Sequence, residues 1–216
     1  MSVHRARRVA GPVHRERTGR RGRRRGTAWY IGPVRETVYE GKIVTLEIED
    51  GRWEIVRHAD AVAVLAVGAD GRVLGVWQQR PAVGAETWEL PAGLIDAGES
   101  PAQAAERELA EETQLAGTLR ELISLYVSPG FTDERVHLFV ATDLREQAGQ
   151  SLDHGEEVRV AWLDPLAAWQ AVAAGEMVTS GVTLLGLRHL LALRGQEVSP
   201  ADAPDAAPAG AVRDER

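Results

Sequence analysis

The stretch Gly93-Leu-Ile-Asp-Ala-Gly-Glu99-Ser-Pro-Ala-Gln-Ala-Ala-Glu-Arg107-Glu108-Leu109-Ala-Glu111-Glu112-Thr-Gln114-Leu115 decides how this chain is read. Its second part has the marks of a helix from Ser100 to Leu115. Ser100 suits the N-cap, Pro101 the first helical position and Gln103 the capping-box partner. Helical residues three and four apart share a face, so Glu108 and Glu112 stack and Glu111 lies beside both. Ala105, Leu109 and Thr113 then face a core. Like charges on one face repel, and these sit toward the helix C-terminus, where the macrodipole disfavours anions. Two readings follow. One is a solvated acidic helix. The other is a face that holds a hard divalent cation, since magnesium takes carboxylate oxygens, keeps waters and bridges to phosphates. Arg107 is the one cation in the cluster and can pair Glu111 or reach back to Glu99. A loop with Pro91, Gly93 and Gly98 delivers the chain into the helix, its glycines permitting positive φ and close backbone approach.

Outward from this helix the pattern is mostly extended. Thr37–Arg57 alternates apolar and polar residues around Asp50-Gly51, the signal of a hairpin. Ala61–Val67 is an unbroken apolar run, suited to a strand buried on both faces. Asp70-Gly71 turns the chain into a return strand, Val73–Gln79. Thr87–Leu90, Leu119–Val127, Val136–Thr142 and Val158–Leu163 read as further strands. Pro165–Ala174 is an amphipathic helix closed by Gly175, and a last helix runs from Thr179 or Ser180 to about Leu193. Strands around one central helix, with helices at the end, predict an α/β sandwich with a mixed sheet.

Composition bounds the function. At 216 residues and 44% hydrophobic, the chain suffices for one sizeable domain. There is no cysteine, which excludes disulfides, thiolate zinc sites and cysteine nucleophiles, and fits a reducing compartment. No apolar run reaches the roughly 20 residues that span a bilayer, and no secretory h-region is seen, so a cytoplasmic, membrane-free protein is expected. Residues 1–27 hold ten arginines and Glu16, a charge of +9 against −7 for the whole chain, which leaves −16 for the rest. The basic arm reads as disordered, and so does the Ala/Pro-rich tail from 195 to 216. The acidic body makes nucleic acid an unlikely main partner.

The stretch from Gly93 resembles the signature of the Nudix hydrolases: Gly, five residues, Glu, seven residues, Arg-Glu, an aliphatic, any residue, Glu-Glu, any residue, Gly, an aliphatic. Gly93, Glu99, Arg107, Glu108, Leu109, Glu111, Glu112 and Leu115 fit. Position 114 departs, with Gln where the family has Gly. A left-handed cap conformation costs a non-glycine residue of order 1 kcal/mol, so a distorted or shifted helix end is expected there. The resemblance implies a Nudix-type α/β/α sandwich and cleavage of a nucleoside diphosphate linked to another moiety. It implies Glu108 and Glu112 as principal metal ligands, Glu111 as a further one, and the carbonyl of Ala92 as another. Glu99 would be the supporting carboxylate and Arg107 its partner, with Gly93 completing the structural frame. The implied cofactor is Mg2+, with Mn2+ able to substitute.

The flanks resemble the ADP-ribose (ADP-sugar) pyrophosphatase subfamily. Trp88-Glu89-Leu90-Pro91-Ala92-Gly93 is similar to its Glu-Leu-Pro-Ala-Gly lead-in, and Gln78-Gln79-Arg80-Pro81 to its Gln-Tyr-Arg segment. Ser128-Pro129-Gly130-Phe131-Thr132-Asp133-Glu134 is similar to its Ser-Pro-Gly loop, one residue closer to the helix than that subgroup's spacing. This implies Arg80, Glu89 and Glu134 at the substrate, Arg80 on the diphosphate. The water-activating base is expected on the loop Asp153-His154-Gly155-Glu156-Glu157, with Glu156 the first choice and Glu157 the second. The region 28–58 would build a homodimer and part of the substrate pocket, with Trp53 or Tyr39 stacking on the base. Residues 59–194 would be the hydrolase domain. Hydrolysis of ADP-ribose to AMP and ribose 5-phosphate leads. GDP-mannose, a dinucleotide cofactor, or a non-catalytic nucleotide sensor remain as alternatives, although sensors of that kind usually lose the carboxylates that are all present here.

Overall fold

The computed structural model describes residues 33–147 and 158–196. The chain divides into two compact units, Met1–Asp60 with Tyr126–Arg135, and Ala61–Leu125 with Val136–Arg216. Among the described residues, no helix is long and apolar enough to cross a membrane.

The first unit carries a three-stranded antiparallel sheet, β1 (Arg35–Glu40), β2 (Val44–Glu49) and β3 (Trp53–His58), in that order. The expected hairpin is therefore a meander. Alternation runs on through the first half, but Gly41 turns the chain there, its N–H bonding Val44 O at 2.9 Å. Asp50-Gly51 makes the second turn, with φ positive at both residues (54° and 66°). The segment after Tyr126 docks on β3: Val56 N–H donates to Phe131 O and Asp133 N–H to Val56 O. Arg57 bridges Glu47 and Asp133 at 2.8 and 3.0 Å.

The second unit is built on β4 (Ala61–Val67), β5 (Val73–Arg80), β6 (Ala85–Glu89), β7 (Ala92–Leu94), β8 (Leu115–Tyr126), β9 (Arg135–Glu146) and β10 (Arg159–Leu163). The main path of the sheet is β10-β5-β4-β9-β8, with β6 paired to β5 and β7 to β4. β4 and β9 are parallel, while β4 is antiparallel to β5 and β7. The sheet is thus mixed, as expected. The three-residue β7 was not read as a strand from sequence, being too short to show a period. β8 begins four residues earlier than expected because the chain pairs at once on leaving the helix.

Helix α1 (Pro101–Thr113) lies on one face of the sheet, and α2 (Pro165–Ala173) and α3 (Gly181–Leu193) on the other. β4 shows why its sequence is apolar without interruption. Successive side chains point to opposite faces. Ala61, Ala63 and Leu65 join the cluster with Leu187 and Leu190 of α3. Val62, Val64 and Ala66 join the cluster with Ala104, Ala105 and Leu109 of α1. Both clusters exclude water, and each fully buried Leu or Val contributes about 1.5–3 kcal/mol. Asp164 and Ser180 cap α2 and α3 through their side-chain oxygens.

Candidate active site

α1 starts as its sequence predicts. Ser100 Oγ accepts from Gln103 N–H at 3.3 Å, and Gln103 Oε1 accepts from Ser100 N–H at 2.9 Å. It ends at Thr113. Gln114 adopts the left-handed conformation, φ 59° and ψ 31°, and its N–H bonds Ala110 O at 2.9 Å. The distorted or shifted helix end expected from Gln114 is absent, because the residue takes the glycine-like conformation itself.

The acidic face is not a solvated one. Glu108 and Glu112 are buried, with 9% and 7% of their surface exposed. Ala105 and Leu109 face the core, as expected. β7 is stitched beside the glutamates: Ala92 N–H donates to Glu112 Oε2 at 3.2 Å. Gly93 lies directly under Glu108. A Cβ at Gly93 would fall 2.0 Å from Glu108 Oε1 and 2.2 Å from its Cδ, so only glycine admits the carboxylate there. Gly98 has the other role anticipated for these glycines, a positive φ of 88° in the turn before Glu99.

Arg107 is the hub of the cluster. Its guanidinium donates to Glu99 through Nε and Nη2, both at 3.0 Å. It also reaches Glu108 Oε1 at 2.6 Å, Glu111 Oε2 at 3.1 Å and Leu94 O at 2.9 Å. The two pairings anticipated for Arg107 occur together. Hydrogen bonding to Glu99, then to Glu108 and Glu111, raises the Arg107 pKa far above its usual range despite partial burial. The Arg107 hydrogen bond, helped by Asp96 N–H, holds the Glu99 carboxyl below the usual carboxylate range.

A second charged group lies on the β5–β6 hairpin. Arg80 forms a two-point bridge to Glu89 at 3.0 and 3.1 Å, and Thr87 Oγ1 donates to Glu89 Oε1 at 2.6 Å. Burial pushes Glu89 up, but the bonds from Arg80 and Thr87 outweigh it and the carboxyl stays below its usual range. Sequence reading named Arg80 and Glu89 but missed that they pair, and missed Thr87. Cross-strand register supplies the link, since Gln78 faces Thr87 and Val76 faces Glu89.

Another pair escaped sequence reading. His137 of β9 is buried, and its Nδ1 lies 2.9 Å from Glu121 Oε1 of β8. Nothing in either strand's period distinguishes it from ordinary core alternation.

The remaining site expectations fall in the first unit or outside the described residues. Glu134, Tyr39 and Trp53 belong to the first unit. There Glu134 Oε1 is 4.0 Å from His58 Nδ1, and Arg52 lies over the half-exposed Trp53 ring at 4.4 Å. Glu156 and Glu157 lie outside the described residues.

Chemically, α1 and β7 gather hard anionic oxygens, two of them on buried carboxylates, beside a backbone turn. That donor set fits a hard divalent ion rather than a soft one. Among the described residues, no three or more acidic or histidine groups form a ready-made cage.

A model of the Nudix domain matches residues 57–180. An ADP-ribose pyrophosphatase of Mycobacterium tuberculosis is 39% identical over 156 residues, covering 67% of this chain and 75% of that protein. An ADP-ribose pyrophosphatase of Bacillus subtilis is 40% identical over 137 residues, covering 59% and 74%. Among solved structures, one described as an ADP compounds hydrolase superposes with a TM-score of 0.61 at 22% identity, covering 76% of this chain and 97% of that one. The geometry around Gly93, Arg107 and the paired glutamates has its counterpart in this shared ancestry: the chain belongs to the Nudix hydrolase family.

Proposed function

We propose that this chain hydrolyses the diphosphate linkage of ADP-ribose or a related ADP-sugar, giving AMP and a sugar phosphate. The observation that carries the reading is the buried pair Glu108 and Glu112 packed on the bare backbone of β7, in a chain whose relatives include two ADP-ribose pyrophosphatases.

Nudix hydrolases generally need a divalent metal, and our finer reading is Mg2+, with Mn2+ able to substitute. Glu108 and Glu112 are the principal ligands, with Glu111 and the Ala92 carbonyl as further donors. When bound, the ion neutralises the diphosphate and lowers the pKa of a coordinated water. Arg107 and Glu99 orient the carboxylates, while Gly93 leaves room for Glu108. Arg80, backed by Glu89, presents its guanidinium to the phosphates, for which a planar fork of donors is suited. Glu156 takes the proton of the attacking water as its oxygen bonds one phosphorus and the bridging phosphorus–oxygen bond breaks, the other phosphate leaving with the bridging oxygen, and Glu157 is the second candidate for that base. On the same resemblance we assign Glu134, of the Ser128–Glu134 loop, to substrate binding. We assign residues 28–58 to dimerisation and the pocket, with Trp53 or Tyr39 stacking on the base, and residues 59–194 to the hydrolase domain. The cysteine-free composition fits the reducing cytoplasm, to which we assign the chain, and we read it as a homodimer whose partner is a nucleotide-sugar rather than a membrane or a nucleic acid.

The deciding experiment is a screen of nucleoside diphosphate derivatives with Mg2+ and product identification. Release of AMP and ribose 5-phosphate from ADP-ribose, faster than cleavage of GDP-mannose or dinucleotides, is the expected result. Preference for either of those would move the enzyme to another branch of the family. Binding without turnover of any compound would make it a sensor.

A further inference from the structure

The glutamate helix has a second polar flank that the proposed chemistry does not use. Gln103, Glu106 and Arg107 of α1 line an open cavity of about 330 Å3, with Arg145 and Gln147 entering from the end of β9. This is not the glutamate face. At 3.6 residues per turn, Glu106 points about 160° away from Glu108. Glu106 is exposed where Glu108 and Glu112 are buried. Arg107 borders the cavity but has no donor left for it. A guanidinium has five N–H groups, and bonds to Glu99, Glu108, Glu111 and Leu94 O engage them all. Arg145 differs. Among the described residues, neither its guanidinium nor the Glu106 carboxylate pairs with another group. Gln147 is anchored by its backbone N–H, which donates to Gln114 O at 2.8 Å, and its side-chain amide stays unbonded among the described residues. Gln103 Oε1 accepts from Ser100 N–H, so its amide offers the cavity a nitrogen donor.

We propose that this cavity is a second ligand site, one for a sugar phosphate. The unpaired Arg145 guanidinium suits a phosphate group, which it can bond at two points. Glu106 sets the rest of the choice. A bare phosphate would meet a like charge there, whereas a sugar hydroxyl donates to a carboxylate. The Gln147 amide both donates and accepts, and the Gln103 nitrogen donates, which matches several hydroxyls on one ligand. A zwitterion such as an amino acid would use the two charges and leave both amides idle. Leu109 and Leu119 line the cavity as well and suit the C–H face of a sugar ring. The volume is at the lower end of the range for ligand pockets, about 300–1,000 Å3, which favours a monosaccharide phosphate over a dinucleotide. The proposal does not depend on which nucleotide is cleaved at the glutamate face.

The test is calorimetry on the full chain with Mg2+ and excess ADP to fill the nucleotide site, using ribose 5-phosphate as the probe. Binding is expected in the presence of ADP. Arg145→Ala should lower the affinity about tenfold or more, the worth of a charged hydrogen bond, with melting temperature and basal turnover unchanged because the side chain is exposed and unpaired. Glu106→Ala separates the two halves of the ligand. It should weaken ribose 5-phosphate and tighten inorganic phosphate, since a hydroxyl acceptor and a like charge are removed together. Absence of binding by the wild type overturns the proposal, as does equal affinity in Arg145→Ala. So does displacement of ribose 5-phosphate by ADP, or tighter binding of inorganic phosphate or glycine than of the sugar phosphate by the wild type. Loss of basal turnover in Arg145→Ala would also overturn it, by moving that residue into the active site. Turnover of ADP-ribose by the wild type tests the functional reading separately. Failure there, with ribose 5-phosphate binding that depends on Arg145, leaves the second site where we place it.

Discussion

The two faces of the central sheet share a strand and differ in what they bury. Toward α2 and α3, β4 meets Leu187, Leu190, Trp88 and Met177, an apolar core with Thr183 bonded at its edge to Leu90 N–H. Toward α1, the apolar residues are small, mostly Ala and Val, and the same helix buries Glu108 and Glu112 against Gly93 and Ala92 of β7. One face supplies stability. The other keeps carboxylates out of water, which is tolerable only because Arg107 and backbone donors engage them. The contrast teaches that the functional cost is confined to one side of β4, while the opposite side offsets it.

The comparison breaks if function and stability do not separate. The largest effect is expected from Glu108→Gln or Glu112→Gln, each lowering turnover about a thousandfold, consistent with loss of several kcal/mol of charge stabilisation. Melting should change little, and near-normal turnover in either variant would refute the assignment of that glutamate. Leu187→Ala on the other face should do the opposite. A loss of about 2–5 kcal/mol in denaturant titrations is expected, with turnover per folded molecule unchanged.

Gly93→Ala sharpens the contrast, because it adds a methyl group where Glu108 sits. A displacement of about 1 Å can cost about a hundredfold in rate, so turnover should fall by that order while circular dichroism stays native. Glu99→Gln reads out the charge network through pH. The Glu99 carboxyl is held below its ordinary value by Arg107, so its contribution is present above the unfolded-state pKa and is lost as pH falls through the folded one. The stability gap between wild type and Glu99→Gln should be widest near neutrality and close below about pH 4. A gap that persists at low pH would mean the ion pair is not its source. Gln114→Gly should have the smallest effect. Relief of the left-handed conformation is partly cancelled by the entropy of an added glycine, leaving a gain of about 0.5 kcal/mol, read as a rise of about 1–2 °C in melting temperature with turnover unchanged.

Much of this was legible in sequence where local chemistry dictates local structure. The capping box at Ser100 and Gln103, the two-faced burial of β4 and the shared face of Glu108 and Glu112 follow from short-range periodicity, and all three are realised. The Arg80–Glu89 bridge was not legible as a pair, because two residues nine apart meet only once hairpin register is fixed. The same holds for His137 and Glu121, which belong to different strands. β1 and β2 were merged because alternation continues across Gly41, and a turn of so few residues leaves little compositional trace. Gln114 shows the limit of motif reasoning: the position demanded a conformation, and a residue other than glycine adopts it.

Because Ala61 through Ala66 is apolar at every position, β4 carries no pattern that distinguishes one alignment from a neighbouring one. A slip by a single residue would exchange its two faces without exposing a polar group. Its frame must be imposed from outside, and the clamps are Pro91 O, which accepts from Val64 N–H, and Gly93, paired with Val62. The few residues that lead into the glutamate helix thus also index the middle strand of the sheet. A chain that misaligns there during folding would lose its core order and its glutamate face in the same error.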